Sequence, residues 1–263
     1  RRSQEKMLNL GFLDDVQPDV QSPYDPGKAD VLFEVVEGKP GMLSAGAGFS
    51  SLDGLIGTMQ LQHLNMFGRA YRTSLQWSFG ARVNDFSVSW GTPWLGSKPT
   101  SLDLSAYNTR RVAPYEGSLS AYTSRRVGGS VRLGPRFADD KYRLETYYSF
   151  AQISVDNIDP QFLGELSPGT SIQSMVGGAA TYDTRDNIWD PSRGQKHTLS
   201  LDVSGGPAQG DIHFLRPALE NSSNWTLATI EDYPLVLTVA NRLAYVTQFG
   251  ETKTVPVFDR FFI

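Results

Sequence analysis

Asp183, Arg185, Asp186, Asp190 and Arg193 crowd one short stretch, TYDTRDNIWDPSRGQKHTLSLDVSGG, residues 181–206. Opposite charges packed this closely can mark a catalytic centre with perturbed acids and bases. An enzyme site also needs a nucleophile and a base within reach. The chain has no cysteine, and the nearest histidine, His197, belongs to the following strand-like run. A metal site could draw oxygens from Asp183, Asp186 and Asp190, but their spacing is not that of a calcium loop and Arg185 intrudes. A structural turn uses every piece. Asn187, Asp190, Pro191 and Gly194 are turn formers, and Arg185 can bridge carboxylates with fork-like contacts. We expect the turn, and with it no catalytic residues, no metal and no cofactor.

Composition narrows the classes. The 263 residues carry a net charge of −4 and a sequence pI of about 5.4, so no basic field is present to hold nucleic acid. No P-loop pattern occurs. His63, His197 and His213 are far apart and read as ordinary strand residues. No run of about 18 apolar residues could cross a membrane as a helix. RRSQEKMLNLGFLDDV lacks the apolar core of a signal peptide, so a targeting segment, if one exists, is expected upstream. Glycine at 25 residues, aromatics at 11% and apolar content of 40% suit a sheet protein with many tight turns. A membrane barrel has such a composition, because its inner face meets water.

The elements that would position the charged turn are strands. Residues 1–39 stand apart: SQEKMLNL reads as a short amphipathic helix stopped by Gly11, and FLDDVQPDVQ and ADVLFEVVEG as strands joined by the turn SPYDPGK. From Gly41 about eleven strands follow, the tenth, DIHFLRPALE, being the weakest. Most span about 9–12 residues, the length that crosses an outer membrane at a tilt. Tyr71, Thr73, Leu75, Trp77 and Phe79 alternate with Arg72, Ser74, Gln76 and Ser78; Leu199, Leu201 and Val203 alternate with Ser200, Asp202 and Ser204. A period of two puts these sets on opposite faces. A soluble sandwich alternates in the same way. Two long connections on one side, RRVAPYEGSLSAY and VDNIDPQFLGELSPGTS, favour a barrel with one loop-rich rim, although NSSNWTLATIEDYP is a long connection on the other side. Phe67, Trp77, Phe79, Trp90, Trp94, Tyr147 and Tyr148 would form interfacial girdles. Arg72, Arg132, Arg143 and Glu145 are expected on the wet inner face.

YDTRDNIWDPSRG resembles the strand-turn-strand signature of the bacterial surface-antigen barrels, the superfamily of the outer-membrane assembly factor BamA. NLGFLDDVQPDV with DVLFEVVEGKPG resembles the end of that family's last POTRA (polypeptide-transport-associated) module. FSSLDGLIGTMQLQHLNMFGRAY is similar to its first hairpin, and PVFDRFFI to the start of its long loop. The resemblance implies an all-β fold: a transmembrane antiparallel β-barrel of sixteen strands, about eleven of them here, preceded by the α+β tail of a POTRA module. Residues 1–39 would be that tail and 40–263 the N-terminal part of the barrel. The chain is expected to be part of a longer one, and Asp259 and Arg260 to have their partners outside it.

The function implied is capture and insertion of unfolded outer-membrane proteins through a lateral gate, without catalysis, in a Gram-negative-type outer membrane with POTRA modules in the periplasm. Outer-membrane lipids and accessory lipoproteins would be partners. The gate strand would comprise Met42, Leu43, Ser44, Ala45, Gly46, Ala47, Gly48, Phe49 and Ser50. Glycines weaken a strand, and a strand edge can template another by β-augmentation; alternatively, the glycines only let the strand bend. A two-partner secretion transporter of the same superfamily and a soluble all-β binding module are the rival readings.

Overall fold

Alternating side chains, with glycine or a short polar group at each reversal, organise nearly the whole chain into antiparallel strands. The computed structural model describes residues 2–8, 10–21, 29–115, 117–163, 166–188, 190–231, 233–252, 254–256 and 259–260. Helix α1 (Arg2–Leu8) leads into β1 (Leu13–Gln21) and β2 (Asp30–Glu37), which pair as a separate two-stranded sheet. Gly11 takes φ of 80°, a left-handed turn that costs glycine nothing, and its N–H closes on the Leu8 carbonyl at 3.0 Å. The Gln4 side-chain amide donates to the Val16 carbonyl at 2.6 Å, and Phe12 and Val16 are buried. The expected SPYDPGK turn, residues 22–28, lies outside the described residues.

Eleven strands then pair in chain order. They are β3 (Gly41–Ser50), β4 (Gly54–Met66), β5 (Tyr71–Gly80), β6 (Val83–Thr92), β7 (Thr100–Tyr115), β8 (Ser118–Phe137), β9 (Tyr142–Asp156), β10 (Gly169–Asp183), β11 (Gly194–Ser204), β12 (Phe214–Ile230) and β13 (Tyr233–Ala244). A two-residue β14 (Thr247–Gln248) folds back onto β12. The strand count read from the sequence agrees with this wall.

The connections do not follow the expected asymmetry. RRVAPYEGSLSAY is not a loop, because β7 runs through Tyr115 and β8 begins at Ser118. NSSNWTLATIEDYP is not a loop either; β12 continues to Ile230 and pairs with β13 down to Ile230↔Tyr233. Residues 157–168 do form a long connection, but so do residues 184–193 on the opposite rim. What distinguishes the odd-numbered rim, the one holding residues 51–53 and 157–168, is the β7–β8 hairpin. β6 stops pairing with β7 at Val83↔Arg111 and β9 with β8 at Thr123↔Asp156, while β7 and β8 continue to Tyr115↔Ser118.

The two faces are inverted relative to a water-soluble sheet. Large apolar side chains point outward and are exposed: Leu75 is 37%, Val88 38%, Leu201 45% and Leu199 59% accessible. The buried cluster lies on the opposite face, where Ala151, Ile153 and Phe214 meet Ile212 and Val255. Apolar exposure on this scale requires a partner medium, and an antiparallel wall with an apolar outer surface is a membrane β-barrel wall. Tyr147 corrects the girdle expectation. It shares the inner face with Ile153 and its hydroxyl donates to Asp202, whereas its neighbour Tyr148 faces outward and is 45% exposed.

Candidate functional site

The charged turn sits between β10 and β11. Its strands are held first by backbone: Thr184 N–H donates to the Gln195 carbonyl at 2.8 Å and Asp186 N–H to that of Arg193 at 3.1 Å. Arg185 forks onto one carboxylate, Nε to Asp183 Oδ1 at 2.9 Å and Nη2 to Oδ2 at 2.8 Å. It therefore does not bridge several carboxylates as the sequence suggests; its fork is filled by its near neighbour two residues back. Asp186 Oδ1 accepts from the backbone N–H groups of Asn187, Ser192 and Arg193 at 2.9, 3.0 and 3.1 Å, and Oδ2 from the Ser192 hydroxyl. Asn187 Oδ1 accepts from Asp190 N–H at 3.4 Å. Pro191 precedes the return strand, and Gly194 takes φ of 102°, where an added Cβ would run into the backbone of Thr184 and Arg185. Thr226 on β12 donates to the Ser192 carbonyl at 3.0 Å and ties the turn to the wall.

The three histidines lie apart. His197 Nδ1 meets Asn221 Oδ1 and its Nε2 meets Gln195 Oε1, both at 2.8 Å. His63 Nδ1 accepts from Asn65 N–H at 3.3 Å. His213 lies in the connection before β12 rather than in a strand, with Nε2 3.0 Å from the Gly210 carbonyl. Among the described residues, no three acidic or histidine side chains are placed to hold a metal ion.

The expected gate residues Met42 to Ser50 all lie on β3, which pairs with β4 in register from Gly41↔His63 to Ser50↔Gly54. Leu43, Ala45, Ala47 and Phe49 share the outward face with Leu61, Met59, Gly57 and Leu55 of β4. Residues 41–49 are exposed throughout, and the second edge of β3 pairs with no strand among the described residues. Side chains add little to the ladder: Thr58 Oγ1 reaches the Gly46 carbonyl at 3.5 Å. Gly46 and Gly48 do not take positive φ. A Cβ at Gly46 would meet Thr58 Oγ1 at 3.5 Å, and one at Gly48 would meet nothing within 4 Å.

The inner face carries a feature the sequence reading missed. Arg72, Arg132 and Glu145 lie there as expected, but they belong to a belt with Asp103, Tyr147, Asp202 and Arg216. Arg72 is 3.6 Å from Asp103, and Arg132 is 3.5 Å from Glu145 and lies over the Tyr147 ring. Tyr147 donates to Asp202 at 2.5 Å, and Arg216 Nη2 to Asp202 at 2.9 Å. Gly91 and Gly177 lie between these side chains in the register, where a Cβ would overlap Asp103, or Tyr147 and Asp202. Strand parity alone could place each residue on a face; which charges meet depends on register between strands far apart in sequence.

Asp259 and Arg260 are corrected in the same region. Their partners lie within the chain. Gln173 Nε2 donates to Asp259 Oδ2 at 2.8 Å, Arg126 Nη2 lies 4.0 Å from Oδ1, and Arg260 Nε donates to the Val255 carbonyl at 2.8 Å. The segment after β14 turns back over the inner face, burying Val255 against the Ile153 and Phe214 cluster. The remainder of PVFDRFFI falls partly outside the described residues.

An outward-apolar wall, a polar-lined interior and a hydrogen-bonded rim turn define a barrel of the outer-membrane class. The Omp85 superfamily domain matches residues 65–263, and the chain belongs to that superfamily. Over its whole length it is 26% identical to the outer membrane protein assembly factor BamA of Nitratidesulfovibrio vulgaris, covering 32% of that protein. Over 86% of its length it is 23% identical to the sorting and assembly machinery component 50 homolog B of Xenopus laevis, covering 48% of it. The fold is similar to the crystal structure of BamA from Haemophilus ducreyi lacking POTRA domains 1–3, with a TM-score of 0.71 at 16% identity over 98% of this chain and 51% of that one. The chain thus spans about a third of the bacterial relative and about half of the other two.

Proposed function

We propose that this wall serves the assembly and insertion of outer-membrane proteins, and that β3 is the strand at which an incoming chain is templated. The relatives named as assembly factors support the first part. The observation that carries the second is the state of β3. Gly46 and Gly48 sit in backbone any residue could adopt, with room for a side chain. This favours weakened pairing over the alternative in which the glycines only let the strand bend. What glycine supplies there is a loss of strand propensity and of side-chain packing, which weakens the β3–β4 edge and leaves its backbone groups ready to pair with another strand.

Residues 1–39 act in this reading as the end of a POTRA module, a platform on the periplasmic side that passes unfolded substrate to β3. The platform joins the wall through Pro40, whose carbonyl accepts from Leu64 N–H at 2.8 Å. The turn from Asp183 to Gly194 anchors the periplasmic rim. Unfolded outer-membrane proteins are the substrates, lipids of the outer membrane the medium that is thinned, and lipoproteins the accessory subunits.

The test replaces glycine on the gate strand and leaves the far wall as control. Gly46→Val or Gly48→Val, by strengthening β3, is expected to slow assembly of unrelated outer-membrane proteins at unchanged barrel abundance. Leu201→Val, on the outer face of β11, is expected to leave assembly unchanged. Equal assembly in all three variants would remove β3 from the mechanism.

A further inference from the structure

Most arginines that face a neighbouring strand on this wall are matched by a carboxylate. Arg111 meets Asp85, Arg132 meets Glu145, Arg216 meets Asp202 and Arg242 meets Glu220. Arg110 and Arg125 break the pattern. They stand directly opposite one another on β7 and β8, on the face shared with Leu104 and Ala106 and with Val127 and Val131, and both are exposed. Like charges in directly opposed positions destabilise a strand pair. Among the described residues neither has an acidic partner; Arg125 Nε donates to Asn108 Oδ1 at 3.3 Å.

Their level on the wall is set by register. Phe79 pairs with Asn84, Asn84 with Arg110, Arg125 with Ser154 and Ser154 with Thr170. One row further into the wall come Trp77, Phe86 and Val127. Trp77 Nε1 donates to Asn84 Oδ1 at 3.0 Å, so the indole has an apolar body and a polar tip at this row. Such aromatics mark the boundary between hydrocarbon and water. Arginine is costly at the bilayer midplane and nearly free at this boundary.

We propose that Arg110 and Arg125 form a binding site for the phosphate of a membrane lipid headgroup at the odd-numbered rim. Two planar guanidinium groups side by side match a phosphate with paired hydrogen bonds and are relieved of their mutual repulsion by its charge. Asn84, Asn108 and the Ser154–Thr170 hydroxyl pair, 3.0 Å apart, border the site with polar groups. Phe86, Val127 and Val131 lie beyond it on the same face, where acyl chains would run. The inference rests on the outer face meeting lipid and is independent of the role given to β3.

The full-length protein, purified in detergent with equimolar phosphatidic acid and phosphatidylcholine, provides the test, with retained lipid counted by native mass spectrometry. Wild type is expected to favour phosphatidic acid by about tenfold, the scale expected of adjacent basic residues at a membrane surface. Arg110→Gln with Arg125→Gln is expected to abolish the preference, and the paired Lys substitutions to keep part of it, because charge remains without the fork. Lys98→Gln, on the opposite rim, is expected to keep all of it; an equal loss there would mean diffuse attraction and overturn the site. Displacement by millimolar inorganic phosphate would assign the site to a free anion and overturn the lipid reading. So would a folded wild type without preference, or a folded double Gln variant that retains it. Foldedness is read independently from migration in unheated gels, and none of these failures bears on whether the outer wall meets lipid, which is read by labelling.

Discussion

At Asp186 a single carboxylate gathers the Ser192 hydroxyl and the backbone N–H groups of Arg193, Asn187 and Ser192. Led by the Ser192 hydroxyl, they outweigh the opposing effect of burial and pull its pKa from 3.8 down to about 2. A depressed folded-state value means the stabilisation is present above pH 3.8 and lost as pH falls through about 2. The difference in urea midpoint between wild type and Asp186→Asn should therefore shrink steadily across that window; a constant difference would dissociate the carboxylate's charge from the stability of the turn. Gly177 supplies a second residue-level prediction. An added methyl overlaps the Tyr147 ring and Asp202, so Gly177→Ala should cost about 1–3 kcal/mol, as overpacking does. Gly48→Ala, with open space around it, should be neutral or gain up to about 1 kcal/mol from reduced freedom of the unfolded chain. Urea unfolding of the two variants checks both signs.

At the scale of elements, the β7–β8 hairpin was the least legible part of the chain. Pro114, Gly117 and the polar residues around them carry the chemistry of a loop. The strand persists because Pro114 sits at the irregularity between Ala113 and Tyr115, past the last pairing with β6, where a missing N–H deprives no partner. The hairpin is then held from outside. Arg82 reaches the Leu52 carbonyl at 2.8 Å, the Leu119 carbonyl at 3.2 Å and Ser120 Oγ at 3.0 Å, joining two connections of one rim to the start of β8. Ala121, Tyr122, Phe162 and Leu166 bury a small cluster beneath the 157–168 connection. Phe162→Ala should weaken this cap by up to about 3 kcal/mol while sparing the wall. Limited proteolysis should cut within residues 157–168 while the strands stay protected; cleavage spread through the wall would show that the cluster is not a local unit.

For the molecule as a whole, the decisive property is the assignment of its two faces to two media. Leu75, Val88 and Leu201 project from the face opposite that of Gln76 and Ser200. With cysteine placed singly at each position in a chain that has none, a bilayer-confined probe should label the first three and a water-borne reagent the last two. Reversed labelling would turn the barrel inside out and remove the basis for membrane function. The inner belt from Arg72 to Arg216 then faces water, where its exposed pairs contribute little individually but brace strands β5 to β12 against one another. β3 and β4 contribute no ion pair to that belt, which leaves the β3 edge held chiefly by its backbone ladder.

The sequence by itself determined the local quantities. The period of two set the strands and their faces, the glycine and asparagine positions set several reversals, and the count of eleven wall strands follows from them. The charged stretch was legible as a turn from the propensities of Asn187, Pro191 and Gly194. Only the tertiary structure decided which side chains meet. Tyr147 with Asp202, Asp259 with Gln173 and Arg110 with Arg125 are set by register and chain reversal between segments 15 to 86 residues apart. Alternation is a property of one strand, whereas register belongs to two. A slip of one residue exchanges the faces of a strand without changing its sequence pattern, so the pattern cannot reveal which charge will stand opposite which.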